Sequence, residues 1–285
     1  MHTTRNSDHR SYIKARFVLL FTGILLVGWC MWSTGGGMTP TKSRSGPSNI
    51  SMRPVQQFLA ALGPAYAMAA SSLTQESTDS VVIDDFEGFA DGAFPDGWKA
   101  WRGDDDIARS LYLIGEEDGN RYLRAKDDGT SIIIRKKLDQ WNPRKHQVLS
   151  WRWRARVLPE GGDERIGPKN DSAVALYVVL DQNFFRIPKT LKYVWSTTLP
   201  IGTRHRRDGI GRPNVIVLES GEEKLGQWVT ETVNVYDDFM LTFGKKPPKS
   251  AVGIGVLTDG NATNTLSEGD YDDIVVSLED DATDQ

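Results

Sequence analysis

The stretch Val148-Leu149-Ser150-Trp151-Arg152-Trp153-Arg154-Ala155-Arg156-Val157 alternates without interruption. In an extended chain Trp151, Trp153 and Ala155 fall on one side, and Arg152, Arg154 and Arg156 on the other. A period of two over such a length specifies a strand with one buried and one solvated face. Tryptophan at this spacing usually belongs to a core, while the arginine row is a candidate extension of a basic patch.

Working outward, the same pattern repeats. The apolar runs 111–114 and 121–125 flank Glu117-Asp118-Gly119-Asn120, a hairpin in which Asp-Gly supplies the positive-φ turn. Ser131-Ile132-Ile133-Ile134-Arg135 follows the turn Asp127-Asp128-Gly129. Further strands are expected over 173–180, 191–197, 214–219, 228–235, 251–257 and 271–278. About eleven short strands with polar turns indicate an all-β, two-sheet, jelly-roll-like β-sandwich. Only 237–243 reads as a helix, with Gly244 as its cap. No internal repeat is visible, and one domain over 81–278 is the simplest count.

Two acidic-aromatic segments bracket this region: Asp84-Asp85-Phe86-Glu87-Gly88 at its start and Gly269-Asp270-Tyr271-Asp272-Asp273-Ile274-Val275-Val276 at its end. They suggest that the first and last strands lie side by side. Calcium takes several oxygen ligands, and carboxylates from adjacent strand ends can supply them. Asp85, Glu87, Asp272 and Asp273 are the candidates for such a structural calcium site. The competing reading is that these acids only solubilise edges and turns.

The chain has 285 residues and a net charge of -4, which gives no reason to expect nucleic acid as a partner. Its one cysteine, Cys30, precedes the sandwich, so the folded region has no thiol for a disulfide, a Cys-ligated zinc or a nucleophile. Residues 1–16 form a basic tail carrying Arg5, Arg10, Lys14 and Arg16, and the apolar run 17–32 follows. That order implies a signal core or transmembrane anchor, with the remainder exported to the periplasm or cell envelope, anchored or released after cleavage. An uncleaved segment would contact the inner membrane. Residues 33–80 read as linker with a second short apolar patch ending in Ala65-Tyr66-Ala67-Met68-Ala69-Ala70. Residues 279–285 are an acidic tail.

Several central segments carry a resemblance. Trp151-Arg152-Trp153-Arg154-Ala155, Asn170-Asp171-Ser172-Ala173-Val174-Ala175-Leu176-Tyr177-Val178-Val179, Leu191-Lys192-Tyr193-Val194-Trp195-Ser196, Phe243-Gly244-Lys245-Lys246-Pro247-Pro248 and Asp270-Tyr271-Asp272-Asp273-Ile274 resemble an uncharacterised bacterial family, domain of unknown function 3047. The resemblance implies an exported bacterial protein and no assigned activity. The acidic bookends alone are also similar to jelly-roll carbohydrate-binding modules, in which such segments flank a structural calcium.

Two constellations can bind a ligand. Trp98, Trp101, Trp141, Trp151, Trp153, Tyr193, Trp195 and Trp228 include rings able to stack on the apolar face of a sugar, although a sandwich core also needs such residues. The loop Thr203-Arg204-His205-Arg206-Arg207-Asp208-Gly209-Ile210-Gly211-Arg212 can grip an anionic group bidentately, or be a solvated turn. Lys192, Tyr193, Trp195, Arg204, Arg206, Arg207 and Arg212 are therefore the expected ligand surface. The folded region has only His146 and His205 as histidines, and no nucleophile elbow, phosphate loop or dinucleotide fingerprint. Carboxylate pairs such as Asp171 with Asp181 or Glu219 with Glu222 occur at chance level. The expected function is non-catalytic binding of a glycan or anionic polyhydroxylated envelope molecule. The alternatives are a polysaccharide-directed hydrolase or lyase, and a structural envelope protein that binds protein partners.

Overall fold

A computed structural model describes residues 80–138 and 140–279. The basic tail, the apolar run with Cys30, nearly all of the linker and its second apolar patch, and all but the first residue of the acidic tail lie outside the described residues. So does the membrane contact expected of them. Among the described residues, no helix is long and apolar enough to cross a membrane.

Among the described residues, thirteen strands, numbered in chain order, form two sheets. The six-stranded sheet runs β11 (Val229–Asn234), β6 (Val148–Val157), β13 (Ser267–Ser277), β4 (Asn120–Asp127) and β3 (Tyr112–Glu117), with β1 (Ser80–Asp84) also paired to β13. The seven-stranded sheet runs β2 (Trp98–Ala100), β5 (Ile134–Lys137), β12 (Gly253–Leu257), β7 (Val174–Gln182), β8 (Pro188–Ser196), β10 (Asn214–Ser220) and β9 (Arg204–His205). Pairing is antiparallel except between β8 and β10, which run parallel. The expected all-β sandwich of two sheets is therefore the fold. Its first and last strands are neighbours, with Val81 opposite Val276.

The alternation of β6 places its rings where expected. Trp151 and Trp153 are fully buried between the sheets, in edge-on contact at 5.2 Å, and Trp151 meets Tyr193 of β8 at 5.5 Å. Each such ring, removed from water, stabilises the fold by roughly 2–3 kcal/mol. Trp195 completes this core, with its indole N–H donating to the Gly221 carbonyl at 3.0 Å.

The other face of β6 corrects an expectation. Arg152, Arg154 and Arg156 do not extend the basic loop; they lie on the outer face of the six-stranded sheet, matched to the acids of β13. Register sets Asp270 opposite Arg154 and Asp272 opposite Arg152. Asp270 accepts from the Nε of Arg154 at 2.7 Å and of Arg156 at 2.6 Å, and Arg154 also meets Glu117 at 2.8 Å. Trp228 covers this ladder, 4.5 Å from the Arg154 guanidinium. Burial raises the Asp270 carboxyl above its ordinary value, with both arginines pulling against the rise. The ladder is a set of cross-strand charge pairs in which every arginine already has its anion.

Among the described residues, two short α-helices accompany the sheets. In α1 (Asp105–Leu111), which the sequence pattern did not announce, the Asp104 side chain accepts from the Asp106 N–H at 2.8 Å. In α2 (Val235–Phe243) Asn234 caps the start, and Gly244 ends it at φ 66°.

Candidate functional site

The outer face of the seven-stranded sheet carries a second, smaller apolar cluster: Ala175, Tyr177, Val194, Val215, Val217 and Leu257. β7 is thus buried on both faces. Its run Val174-Ala175-Leu176-Tyr177-Val178-Val179-Leu180 is continuously apolar because one side faces the core and the other faces a groove. On β8 the period of two sends Leu191, Tyr193 and Trp195 inward and Thr190, Lys192 and Val194 outward.

The groove has a volume of about 780 Å³. Its floor is Tyr177, Lys192, Glu164 and Asp259, all buried. The Lys192 ammonium lies 5.4 Å from the centre of the Tyr177 ring and donates to the Ser172 hydroxyl at 3.2 Å. Burial opposes its charge, yet Tyr177, Glu164 and Asp259 together hold its pKa above the ordinary lysine value. Glu164 accepts from the hydroxyls of Ser172 at 2.9 Å and Ser196 at 2.7 Å. Desolvation pushes the Asp259 carboxyl up to about 6; Lys192 opposes the rise and the nearby Asp171 adds to it.

Asp259 owes its position to the turn that follows β12. Asp171 accepts from the N–H groups of Ala262 at 3.2 Å and Thr263 at 2.7 Å, and Asp127 from that of Gly260 at 2.7 Å. A Cβ at Gly260 would collide with the Thr265 carbonyl, so this turn requires glycine.

Two loops and the segment after β2 form the walls. The turn 183–187 is closed by the Asn183 N–H donating to the Ile187 carbonyl at 3.1 Å, which holds Phe185 out at 79% exposure. The loop 206–213 brings Arg207 and Arg212, with an Nη of Arg207 donating to the Asn170 side chain at 3.2 Å. Burial, and then the charge of Arg212, lowers the Arg207 pKa. Trp101 and Arg102 complete the lining. A second hollow of about 210 Å³ shares Trp101, Arg102, Arg186 and Pro188 with the first and adds Arg135 and Gln182.

The expected ligand surface is thus divided. Lys192, Arg207 and Arg212 line the groove. Tyr193 and Trp195 do not; both are fully buried in the core, where Tyr193 donates to Asp238 at 2.9 Å. Arg204 pairs with the same Asp238 instead of facing the groove. Arg206 braces its own loop, donating to the carbonyls of Gly209 at 3.2 Å and Arg212 at 3.4 Å. Of the eight aromatics singled out, Trp101 lines the groove. Glu164, Tyr177, Asp259, Arg102 and Arg135 were not foreseen; the only local signal was an Asp-Gly turn directly after an apolar strand.

Each of the four candidate calcium ligands has a partner within the protein. Asp85 accepts from the Glu87 N–H at 3.2 Å, and Glu87 from the Arg121 N–H at 3.0 Å. Arg152 holds Asp272 and Asp273, and Asn120 donates to Asp272 at 2.9 Å. Among the described residues, no three His, Cys, Asp or Glu side chains form a group able to hold a metal ion.

A two-sheet jelly-roll-like sandwich with a polar, aromatic-edged groove on the outer face of one sheet is the class that this fold and site define. The chain belongs to the family described as "Protein of unknown function (DUF3047)", whose model matches residues 96–275. No curated protein matches the sequence. Among solved structures it is similar to the family 11 carbohydrate-binding module of the cellulosomal cellulase Lic26A-Cel5E of Clostridium thermocellum, at 10% identity and a TM-score of 0.38, over 72% of this chain and 97% of that one. The family 30 carbohydrate-binding module of Cel9D-Cel44B from the same organism is similar at 13% identity and a TM-score of 0.38, over 71% and 99%. The xyloglucanase domain of NopAA from Sinorhizobium fredii, in complex with cellobiose, is similar at 10% identity and 0.34, over 65% and 96%. Likeness at this level supports no statement about what the groove holds.

Proposed function

We propose that the groove on the seven-stranded sheet binds a glycan or another polyhydroxylated, anionic molecule of the cell envelope. One observation carries this reading: hydrogen-bonding and charged groups converge on the floor of an open groove whose rim presents exposed aromatic surface. Ser131, Thr190, Asn170, Glu164 and Asp259 offer donors and acceptors suited to hydroxyls, and Trp101 and Phe185 offer faces for the apolar side of a sugar ring. The envelope setting rests on the basic and apolar opening of the chain.

Retention of the full-length chain in native gels containing envelope or plant-type polysaccharides tests the proposal. At least one polymer should slow the wild type, and Trp101→Ala should abolish the shift without lowering the Tm by more than a few degrees. A chain that migrates identically in every gel overturns it.

The enzyme alternative is favoured by one specific feature, the raised Asp259 carboxyl beside Lys192 on the groove floor. Such a group exchanges its proton just below neutral pH and suits acid–base work on a bound sugar. Release of reducing ends or of unsaturated products that stops in Asp259→Asn identifies that activity.

A further inference from the structure

The two hollows adjoin. Trp101, Arg102, Arg186 and Pro188 line both, so a chain lying over Tyr177 and Lys192 would reach Arg135 and Gln182 by passing Trp101. Across the two hollows the charge is uneven. Six basic side chains, Arg102, Arg135, Arg186, Lys192, Arg207 and Arg212, line them against two carboxylates, Glu164 and Asp259, in a chain whose net charge is -4. The second hollow has arginines and no carboxylate in its lining.

The two outer faces of the sandwich treat arginine differently. On the six-stranded sheet Arg152, Arg154 and Arg156 are each bound to a carboxylate. Among the described residues, the groove arginines have no carboxylate at salt-bridge distance. Arg207 meets a neutral asparagine, and Arg135 lies over the Trp101 ring at 5.7 Å. Arg207 is also buried beside the like charge of Arg212, and burial first and that charge second lower its pKa. Guanidinium groups gathered without anions form a receptor for anions supplied from outside.

We propose that the ligand is an acidic polysaccharide of the polyuronate class, bound as an extended chain across both hollows with Trp101 at the junction. This rests on the glycan reading above. Carboxylate-bearing sugars sit against Arg207 and Arg212 in the first hollow and against Arg135 in the second. Glu164 and Asp259 take hydroxyls of the same chain. A nucleic acid or polyphosphate fits less well, because its closely spaced phosphates would approach those two floor carboxylates.

The test is calorimetry on the full-length chain with homogalacturonan oligomers of increasing length, their methyl esters, and single-stranded DNA and polyphosphate as other polyanions. Free-acid oligomers should bind at least about tenfold tighter than their uncharged esters at low salt. Affinity should rise from disaccharide to hexasaccharide. Arg135→Ala, and separately the exposed Gln182→Ala in case the first variant misfolds, should cut hexasaccharide affinity toward the disaccharide value and leave disaccharide binding unchanged. Arg212→Ala should weaken both. Equal affinity for acid and ester, or none of the expected gain with length, overturns the inference while leaving glycan binding in place. DNA or polyphosphate bound as tightly as the uronate also overturns it. Loss of all sugar binding, neutral and acidic, overturns the glycan reading itself.

Discussion

At the scale of single residues, Asp259 joins function to stability. Its neighbours in the groove are Lys192, Arg207, Tyr177, Glu164 and the Ser131 hydroxyl, Asp171 lies close by, and burial raises its pKa from 3.8 to about 6. A carboxyl raised on folding binds its proton more tightly in the folded state. The folded protein therefore gains stability as pH falls through 6 toward 4, and carries a cost above 6. Asp259→Asn removes that cost. It should stabilise the protein by on the order of 2 kcal/mol at pH 7.5, and the gain should shrink as pH falls through 6 and vanish below about 4. Chemical denaturation of both proteins across this range reads the difference; a gain that is constant with pH contradicts the assignment. The same substitution should weaken the ligand, which is the mark of a residue kept for function at a cost in stability. Lys192 shows what a single residue reveals beforehand. A lysine inside an apolar strand stood out in the sequence, but its partners Glu164 and Asp259 are 28 and 67 positions away in the chain, and no local pattern links them.

At the scale of elements, alternation was a dependable guide to β6, where burial of one face imposes a period of two, and short apolar runs bounded by turns marked strands covered on both faces such as β7 and β12. The hairpin between β3 and β4 was equally legible, its Asp118 and Gly119 taking φ of 54° and 83°. What alternation could not say is which partner each solvent-side residue meets. Asp272 and Asp273 of β13 read in isolation as calcium ligands or as solubilising acids, and in the fold they pair with Arg152 of β6, because the sheet brings these two strands together over Glu268 to Ser277. Arg152 lies on Asp272 and Asp273, so addition of a calcium chelator should leave the Tm unchanged, whereas Arg152→Ala should lower it by leaving Asp272 buried without its partner. A Tm that drops with chelator and recovers with calcium would show that these carboxylates hold a cation. The parallel pairing of β8 with β10 was also hidden, as it depends on β9 and the 206–213 loop crossing between them.

At the scale of the whole molecule, both sheets of the sandwich contribute to one main core. Trp153 is fully buried in it, so Trp153→Ala should cost about 3–5 kcal/mol. A thermal melt should show that loss as a single shifted transition for the sandwich, and an unchanged midpoint would place Trp153 outside the core. Alternation and turn chemistry were enough to determine an all-β sandwich and the inward face of β6, since these depend on which side chains must leave water, and the acidic-aromatic bookends pointed to neighbouring first and last strands. They also marked Lys192, Arg207 and Arg212. Only the tertiary structure decided that Tyr193 and Trp195 belong to the core, that Trp101 stands in the groove, and that Glu164 and Asp259 join Lys192 on its floor. The physical reason is that period two assigns residues to opposite faces of a strand without saying what covers each face. In this protein both faces of β7 and β8 are covered, one by the partner sheet and the other by loops that arrive from distant parts of the chain.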